Sequence, residues 1–93
     1  MKVSVDWIDN VAFRVTTESG HTLVMDGAPE GGGQDRGPRP METVLAGTGG
    51  CTAYDVVTIL RKARQDISEC KLEIDADRAP TDPKVFTRIH FHF

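Results

Sequence analysis

The stretch that decides the fold is RPMETVLAGTGGCTAYDVVTILRKARQDI, residues 39–67. Pro40 suits the first position of a helix, where its missing N–H costs nothing, and Glu42 then falls in the first turn, where the helix dipole favours a negative charge. Side chains on one face recur at about 100° per residue, so we predict a helix over 41–66. That face comprises Met41, Leu45, Thr52, Val56, Ile59, Ala63 and Ile67.

Three glycines interrupt this helical pattern directly before Cys51, at Gly47, Gly49 and Gly50. Each glycine inside a helix costs about 1 kcal/mol relative to alanine, so the run requires a reason. Either the helix breaks or kinks here, with Thr48 capping a second segment, or another element packs against bare backbone. Both alternatives place unusual backbone beside the Cys51 thiol.

The predicted helix is apolar on more than one side. Between Glu42 and Arg61 the only charged residue is Asp55, so we expect the helix to be covered on several sides. A membrane-spanning helix is disfavoured, because the uncharged run 43–54 is only twelve residues long and contains the three glycines.

Alternation typical of strands occupies both ends of the chain. Within the first 26 residues, apolar side chains occupy every second position in three separate stretches, which predicts three strands in an antiparallel meander. Residues 27–40 hold five of the nine glycines and three of the five prolines, and therefore predict a mobile loop with no regular element. After the helix, alternation over 71–77 predicts a strand, and the residues 79–83 predict a turn. A last strand is predicted to start at Val85 and to run to Phe93.

The length of the chain limits its stability as a monomer. Ninety-three residues make at most one domain, and only 39% of them are hydrophobic. Two cysteines are too few for a disulfide scaffold, so a partner subunit is the expected source of further stability. Because the last residue is still an apolar strand position, we expect 1–93 to be a single domain that is incomplete at its C-terminus.

The net charge and the N-terminal sequence indicate which binding partners and which cellular compartment to expect. The net charge is −3 and the basic residues are scattered, which argues against nucleic-acid binding. The N-terminal stretch lacks the apolar core of a signal peptide, so we expect a cytoplasmic protein. In a reducing cytosol the two cysteines are expected to be free thiols.

Cys51 is the leading candidate for chemistry. If the glycines free backbone N–H groups at a helix start, these donors favour the nucleophilic thiolate. Asp55, one turn further on, opposes it unless a cation intervenes, such as Arg36, Arg39 or an arginine of a partner. The alternative is an inert cysteine packed as a small hydrophobic residue, and residue chemistry alone leaves both possibilities open.

For the remaining candidate residues, the sequence favours structural roles over chemical ones. Cys70 is expected at the edge of the core, and a bridge to Cys51 is disfavoured by the long intervening helix. His90 and His92 share a strand face, yet no third ligand has matching spacing, so we expect a solvated face and no metal. His21 lies in a predicted turn and suits the surface. The run Gly31, Gly32, Gly33 lacks the lysine and Ser/Thr of a P-loop, and no cofactor is expected.

The order of these features closely resembles the OsmC/Ohr family of thiol-dependent peroxidases. The resemblance spans essentially the whole chain and is most specific over 40–57, like the family branch with a PMExVL…GGC signature. It implies an α+β fold with an antiparallel meander, a central helix and further strands. It also implies an intertwined homodimer whose active sites lie at the subunit interface.

By this resemblance, Cys51 is the peroxidatic cysteine that reduces organic or inorganic hydroperoxides, with a role in stress and detoxification. The resemblance also implies an arginine that stabilises the thiolate and a glutamate that orients it; Arg39 and Glu42 are the candidates. The family's glutamate position is occupied here by Met41, and Arg14 is not at the family's arginine position. The resemblance places the resolving cysteine in a C-terminal part of the family that this chain does not contain, and Cys70 does not match it. The sulfenic acid is then expected to be reduced by Cys70 after a rearrangement, by a thiol of a partner, or by an external thiol or dithiol. A non-enzymatic ligand-binding or redox-sensing module is the alternative.

Overall fold

The fold is of mixed α+β type, with one long helix and antiparallel strands, in a computed structural model that describes residues 1–79 and 86–93. Contacts divide the chain into two units, Met1–Val44 and Leu45–Phe93. The elements are β1 (Val3–Asp9), β2 (Ala12–Thr17), β3 (Thr22–Met25), α1 (Pro40–Lys62), β4 (Glu73–Arg78) and β5 (Phe86–His92).

The first unit contains a three-stranded antiparallel sheet in the order β1-β2-β3, which confirms the predicted meander. Period-two alternation places Val5, Val15 and Leu23 opposite one another across the three strands, as their register shows. Val15 is buried with Ala12, whereas Val5 on the edge strand stays exposed. The apolar face of the sheet is therefore only partly covered by its own unit.

Asp26, at the end of β3, organises the loop that follows. Its carboxylate is fully buried and accepts hydrogen bonds from the backbone N–H groups of Gly27 (2.7 Å), Gln34 (3.3 Å) and Arg36 (3.3 Å) and from Arg36 Nε (3.1 Å). Burial alone would raise the pKa of Asp26, but these four hydrogen bonds lower it below its ordinary value. The predicted loop without regular structure therefore has defined contacts, and a 3-10 turn forms at Pro29–Gly31.

Helix α1 begins as predicted but ends earlier. Pro40 is its first residue, and the Glu42 carboxylate accepts a hydrogen bond from the Arg39 backbone N–H (2.8 Å), one half of a capping box. The helix ends at Lys62 rather than 66 because Arg64 adopts a left-handed conformation (φ 58°). The backbone N–H groups of Arg64 and Gln65 then bond back to the carbonyls of Arg61 and Leu60, which closes a Schellman motif.

The glycine run does not break the helix. Helix α1 is continuous through all three glycines, so the predicted capping of a second segment by Thr48 is wrong. The Thr48 carbonyl instead accepts a hydrogen bond from Thr52 Oγ1 (3.0 Å). The alternative, in which another element packs against bare backbone, holds at Gly49. An added Cβ there would overlap Ile74 Cδ1 and lie 3.2 Å from Leu72 Cδ2.

The second unit pairs β4 with β5 in an antiparallel hairpin. Strand β4 starts two residues later than the alternation over 71–77 predicts, and the predicted turn residues 80–83 and Val85 lie outside the described residues. Within α1, which is described throughout, only Gly49 is buried, and Ile59 of the predicted core face is 64% exposed. The expectation of cover on several sides is therefore not met by this chain.

By length and composition alone, α1 is long and apolar enough to cross a membrane. A single helix with these properties is weak evidence, because the core helix of a soluble protein has the same length and composition. The packing of Gly49 against β4 favours a helix of a folded α+β unit.

Candidate functional site

Cys51 lies near the middle of the 23-residue helix α1, with its side chain exposed. Because the helix is continuous, the backbone N–H groups around Cys51 belong to the helix interior. The predicted activation by N–H donors at a helix start is therefore wrong: the first turn of α1, where such donors are unpaired, is at Pro40. The alternative of a thiol packed as a small hydrophobic residue does not hold within the second unit, because the side chain is exposed there.

Two glycines, which have no side chain, lie on the helical turn before the Cys51 thiol. An added Cβ at Gly47 or Gly50 would have no described atom within 4 Å, so the helix presents unobstructed backbone on the turn before Cys51. An open groove of about 530 Å³ lies on this side of the helix. We call it the Cys51 groove; it is lined by Gly47, Gly50, Cys51, Tyr54 and Asp55.

A second groove, of about 490 Å³, runs along the neighbouring side of the same helix. It shares Gly50 and the 72% exposed Tyr54 with the Cys51 groove. We call it the Cys70 groove, because the loop after α1 brings Cys70 to its wall. The lining residues are Gly50, Ala53, Tyr54, Val57, Thr58, Arg61 and Cys70.

Cys70 is therefore not the core-edge residue that the sequence predicts. Its side chain is exposed, and both cysteines are free thiols in the part of the chain that the structure describes. No sequence pattern reveals that Cys70 returns to the helix, because its position depends on the path of the irregular segment between α1 and β4. That path is fixed by the Schellman turn at Arg64 and by the contact of Leu72 with Gly49.

The candidate cations are paired with carboxylates of the first unit. Arg36 forms ion pairs with Asp9 and with the buried Asp26, and Arg39 pairs with Asp35 (2.8 Å). The described residues that line the Cys51 groove include Asp55 but neither arginine. A role for Arg36 or Arg39 as the cation that activates Cys51 remains a prediction.

Glu42 and Arg39 meet at the start of α1, where the Glu42 carboxylate accepts the Arg39 backbone N–H. This bond satisfies one of the unpaired donors of the first turn, so Glu42 has a structural role there. Met41, at the family's glutamate position, is half-buried, and Arg14 is exposed on β2 opposite Asp6 and Val24. Catalytic roles for the candidates Glu42 and Arg39 also remain predictions.

The histidines line neither the Cys51 groove nor the Cys70 groove. His90 and His92 stack on β5 with ring centroids 6.5 Å apart, opposite Asp75 and Glu73 of β4. Among the described residues, no three His, Cys, Asp or Glu side chains are arranged to hold a metal ion. His21 is exposed in the turn before β3, where its Nδ1 lies 3.1 Å from Ser19 Oγ.

Asp26 is the residue that sequence analysis missed. The available signal is the Asp26-Gly27 pair directly after the alternating residues of β3, since an aspartate before glycine readily bonds nearby backbone N–H groups. The structure makes it the buried anchor of the loop that leads to α1.

Comparison with known proteins identifies one family. The family model described as OsmC-like protein matches residues 31–93. Protein YhfA of Escherichia coli K12 is 41% identical over all 93 residues, as is protein YhfA of Shigella flexneri. The chain spans 66% of the length of these relatives.

Solved structures share the fold. A structure described only as structural genomics is 39% identical, with a TM-score of 0.84 over 99% of this chain and 65% of its own. A second is described as an osmotic stress induced and detoxification response protein from Psychrobacter arcticus 273-4. It has a TM-score of 0.85 over 98% of this chain and 66% of its own, and at 15% identity it supports the fold alone.

Proposed function

Because this chain belongs to the OsmC-like family, we propose that it is a thiol-dependent peroxidase that reduces hydroperoxides through Cys51. The observation that supports this best is the exposed Cys51 thiol, which lines an open groove beside bare helix backbone. A hydroperoxide can approach along that groove without displacing a side chain at residues 47 or 50.

The proposed reaction is a two-electron oxidation of the thiol. The Cys51 thiolate attacks the terminal oxygen of the hydroperoxide, the O–O bond breaks, and the alkoxide takes a proton and leaves as an alcohol. Cys51 becomes a sulfenic acid. An external dithiol returns it to the thiol: one sulfur displaces water from the sulfenic acid, and the second displaces Cys51 and forms a cyclic disulfide.

The apolar wall of the Cys70 groove favours an organic hydroperoxide. Ala53 and Val57 line that groove next to the shared Tyr54, so an alkyl or aryl group bound there would leave water. The name of the Psychrobacter relative refers to stress and detoxification. We propose removal of organic hydroperoxides in the cytoplasm as the corresponding detoxification role of this chain.

We propose that the active form is a homodimer. Helix α1 leaves Tyr54 72% and Ile59 64% exposed, and no described atom packs against Gly47 or Gly50. Exposed apolar surface on this scale is typical of an interaction site. A second copy would cover it and supply the second side of each groove.

The peroxidase proposal is tested by the dithiol-dependent loss of cumene hydroperoxide. Wild type is expected to consume peroxide for many turnovers, and Cys51→Ser is expected to consume no more than the protein-free reaction. Ala46→Ser is the matched control, because it places serine at another exposed position of α1 that lines neither groove. No peroxide loss with wild type, or equal rates for wild type and Cys51→Ser, would refute the proposal.

A ligand-binding or redox-sensing module is the second candidate. Asp55 supports it, because the described residues that line the Cys51 groove include a carboxylate and no cationic side chain that could pair with a thiolate. Oxidation of Cys51 once, without turnover in the presence of dithiol, would favour this candidate over the enzyme.

A further inference from the structure

We propose that Tyr54 determines the substrate specificity of the site, and that it selects hydroperoxides with an aromatic ring next to the peroxide group. This inference rests on the proposed function, because it names the substrate class of the Cys51 thiol. It starts from one observation: among the described residues, Tyr54 provides the one side chain that lines both grooves of α1.

Tyr54 lies directly beside the proposed nucleophile. It follows Cys51 by three residues on a continuous helix, and residues at this spacing are neighbours whose Cβ atoms lie about 5–6 Å apart. Both residues line the Cys51 groove. A hydroperoxide whose O–O bond reaches the thiol therefore brings the group next to the peroxide within reach of the Tyr54 ring.

The ring is available for contact with a ligand. Tyr54 is 72% exposed, so the described chain covers little of the aromatic surface. The two grooves that meet at the ring have volumes of about 530 and 490 Å³. These volumes are within the range of about 300–1,000 Å³ that is typical of small-molecule sites.

Open space lies next to the ring at Gly50. Tyr54 follows Gly50 by four residues, and helical side chains lean towards the preceding turn, so the ring leans towards Gly50. A Cβ added at Gly50 would have no described atom within 4 Å, and this includes the atoms of the ring. A ligand can therefore approach the ring on this side without displacing a side chain at residue 50.

An aromatic ligand gains a contact with Tyr54 that an alkyl ligand lacks. Aromatic pairs prefer offset-stacked or edge-to-face arrangements, and such a pair strengthens binding by about 2- to 12-fold beyond the effect of apolar burial. The contact is made by a part of the substrate that does not react, so it holds the peroxide group at the thiol. The chemical step is unchanged: Cys51 is oxidised to the sulfenic acid, and the hydroperoxide is reduced to its alcohol.

The test compares cumene hydroperoxide with tert-butyl hydroperoxide, which has a methyl group in place of the phenyl ring. The preference of the protein is the ratio of the two kcat/KM values, divided by the ratio of the two rates with free cysteine. Wild type and Tyr54→Phe are expected to prefer cumene hydroperoxide. Tyr54→Leu retains apolar volume without a ring and is expected to lower the preference by about 2- to 12-fold. Ile59→Leu is the matched control, because Ile59 is another exposed apolar residue of α1 and lines neither groove.

Gly50→Ala distinguishes a role in specificity from a role in stability. Alanine is the better helix former, so the variant is expected to melt at a higher temperature than wild type. Its methyl group occupies the open space beside the ring and is expected to lower the preference for cumene hydroperoxide. A Gly50→Ala variant that is more stable and equally selective would contradict the use of this space by the substrate.

Protection of Cys51 from iodoacetamide separates this inference from the proposed function, because alkylation involves no peroxide. In the Cys70→Ser variant, cumyl alcohol is expected to slow the alkylation of Cys51 more than tert-butanol does, and Tyr54→Leu is expected to remove the difference. An unchanged preference in Tyr54→Leu, a lost preference in Tyr54→Phe, or equal protection by the two alcohols overturns the inference. Selective protection by cumyl alcohol without turnover of peroxide supports the aromatic contact and counts against the peroxidase alone.

Discussion

Gly33→Ala is expected to destabilise the loop that leads to α1. A Cβ at residue 33 would overlap the carbonyl group of Gly27 and lie 2.7 Å from Gly27 Cα. These are backbone atoms, so no side-chain rotation relieves the overlap, and the loop itself has to shift. Gly33 has no positive φ, so the contact alone accounts for the effect.

The magnitude follows from two contributions. Overpacking costs typically about 1–3 kcal/mol when neighbours have to move. Displacement of residue 33 also weakens the adjacent hydrogen bond of the Gln34 N–H, at about 0.5–1.5 kcal/mol for a typical bond. We expect the free energy of unfolding to fall by about 2–4 kcal/mol, which lowers Tm by roughly 8–30 °C at about 4–8 °C per kcal/mol.

The assay is thermal unfolding followed by circular dichroism, with Gly31→Ala as the matched control. Gly31 lies in the same loop, has no positive φ, and an added Cβ there would meet no described atom within 4 Å. Its substitution is expected to change the free energy of unfolding by less than about 1 kcal/mol, in the stabilising direction. Equal Tm values for the two alanine variants would refute the loop packing described here.

Three further predictions concern other parts of the fold. The pKa of Asp26 is lowered in the folded chain, so its stabilising contribution is present above the ordinary carboxyl pKa of about 4 and is lost as pH falls through the lowered value. Acid unfolding followed by circular dichroism is expected to be less steep for Asp26→Asn, and an identical pH dependence would contradict the buried anchor. Glu42→Ala removes half of a capping box and is expected to lower the free energy of unfolding by about 0.5–1 kcal/mol in urea titrations, whereas Glu42→Gln keeps an acceptor and loses less. Ile59→Lys places a charge on exposed apolar surface and is expected to weaken the proposed dimer about tenfold or more in sedimentation, at about 1.4 kcal/mol per tenfold. The exposed loop variant Ser68→Lys is the control, and a stable monomer for wild type would contradict the dimer.

Local patterns were sufficient to predict most of the elements. Alternation identified β1, β2 and β3 because each strand presents residues of one type to one face of the sheet, and Pro40 marked the first residue of α1. The end of α1 was missed because Arg64 adopts a left-handed conformation that glycine usually provides. The sequence left open whether the helix continues through Gly47–Gly50, because the low helix propensity of glycine is outweighed only by the rest of a 23-residue helix and by its packing against Ile74.

The site was predictable only in part. Cys51 stood out from its neighbours, but its exposure and its groove depend on which faces of α1 the hairpin covers. The return of Cys70 to that helix results from Leu72 packing on Gly49, a contact between residues 23 positions apart. The partners of Arg36 likewise lie 10 and 27 positions away, so no local pattern connects them.

The most direct test of the account is the rate at which Cys51 reacts with cumene hydroperoxide, compared with free cysteine at the same pH. The rate is measured in a single turnover with the Cys70→Ser variant, so that Cys51 is the one thiol in the chain that can react. The account predicts that Cys51 reacts faster than free cysteine and that Cys51→Ser in the same background removes no peroxide. A rate equal to that of free cysteine would contradict the central claim that Cys51 is a peroxidatic thiol.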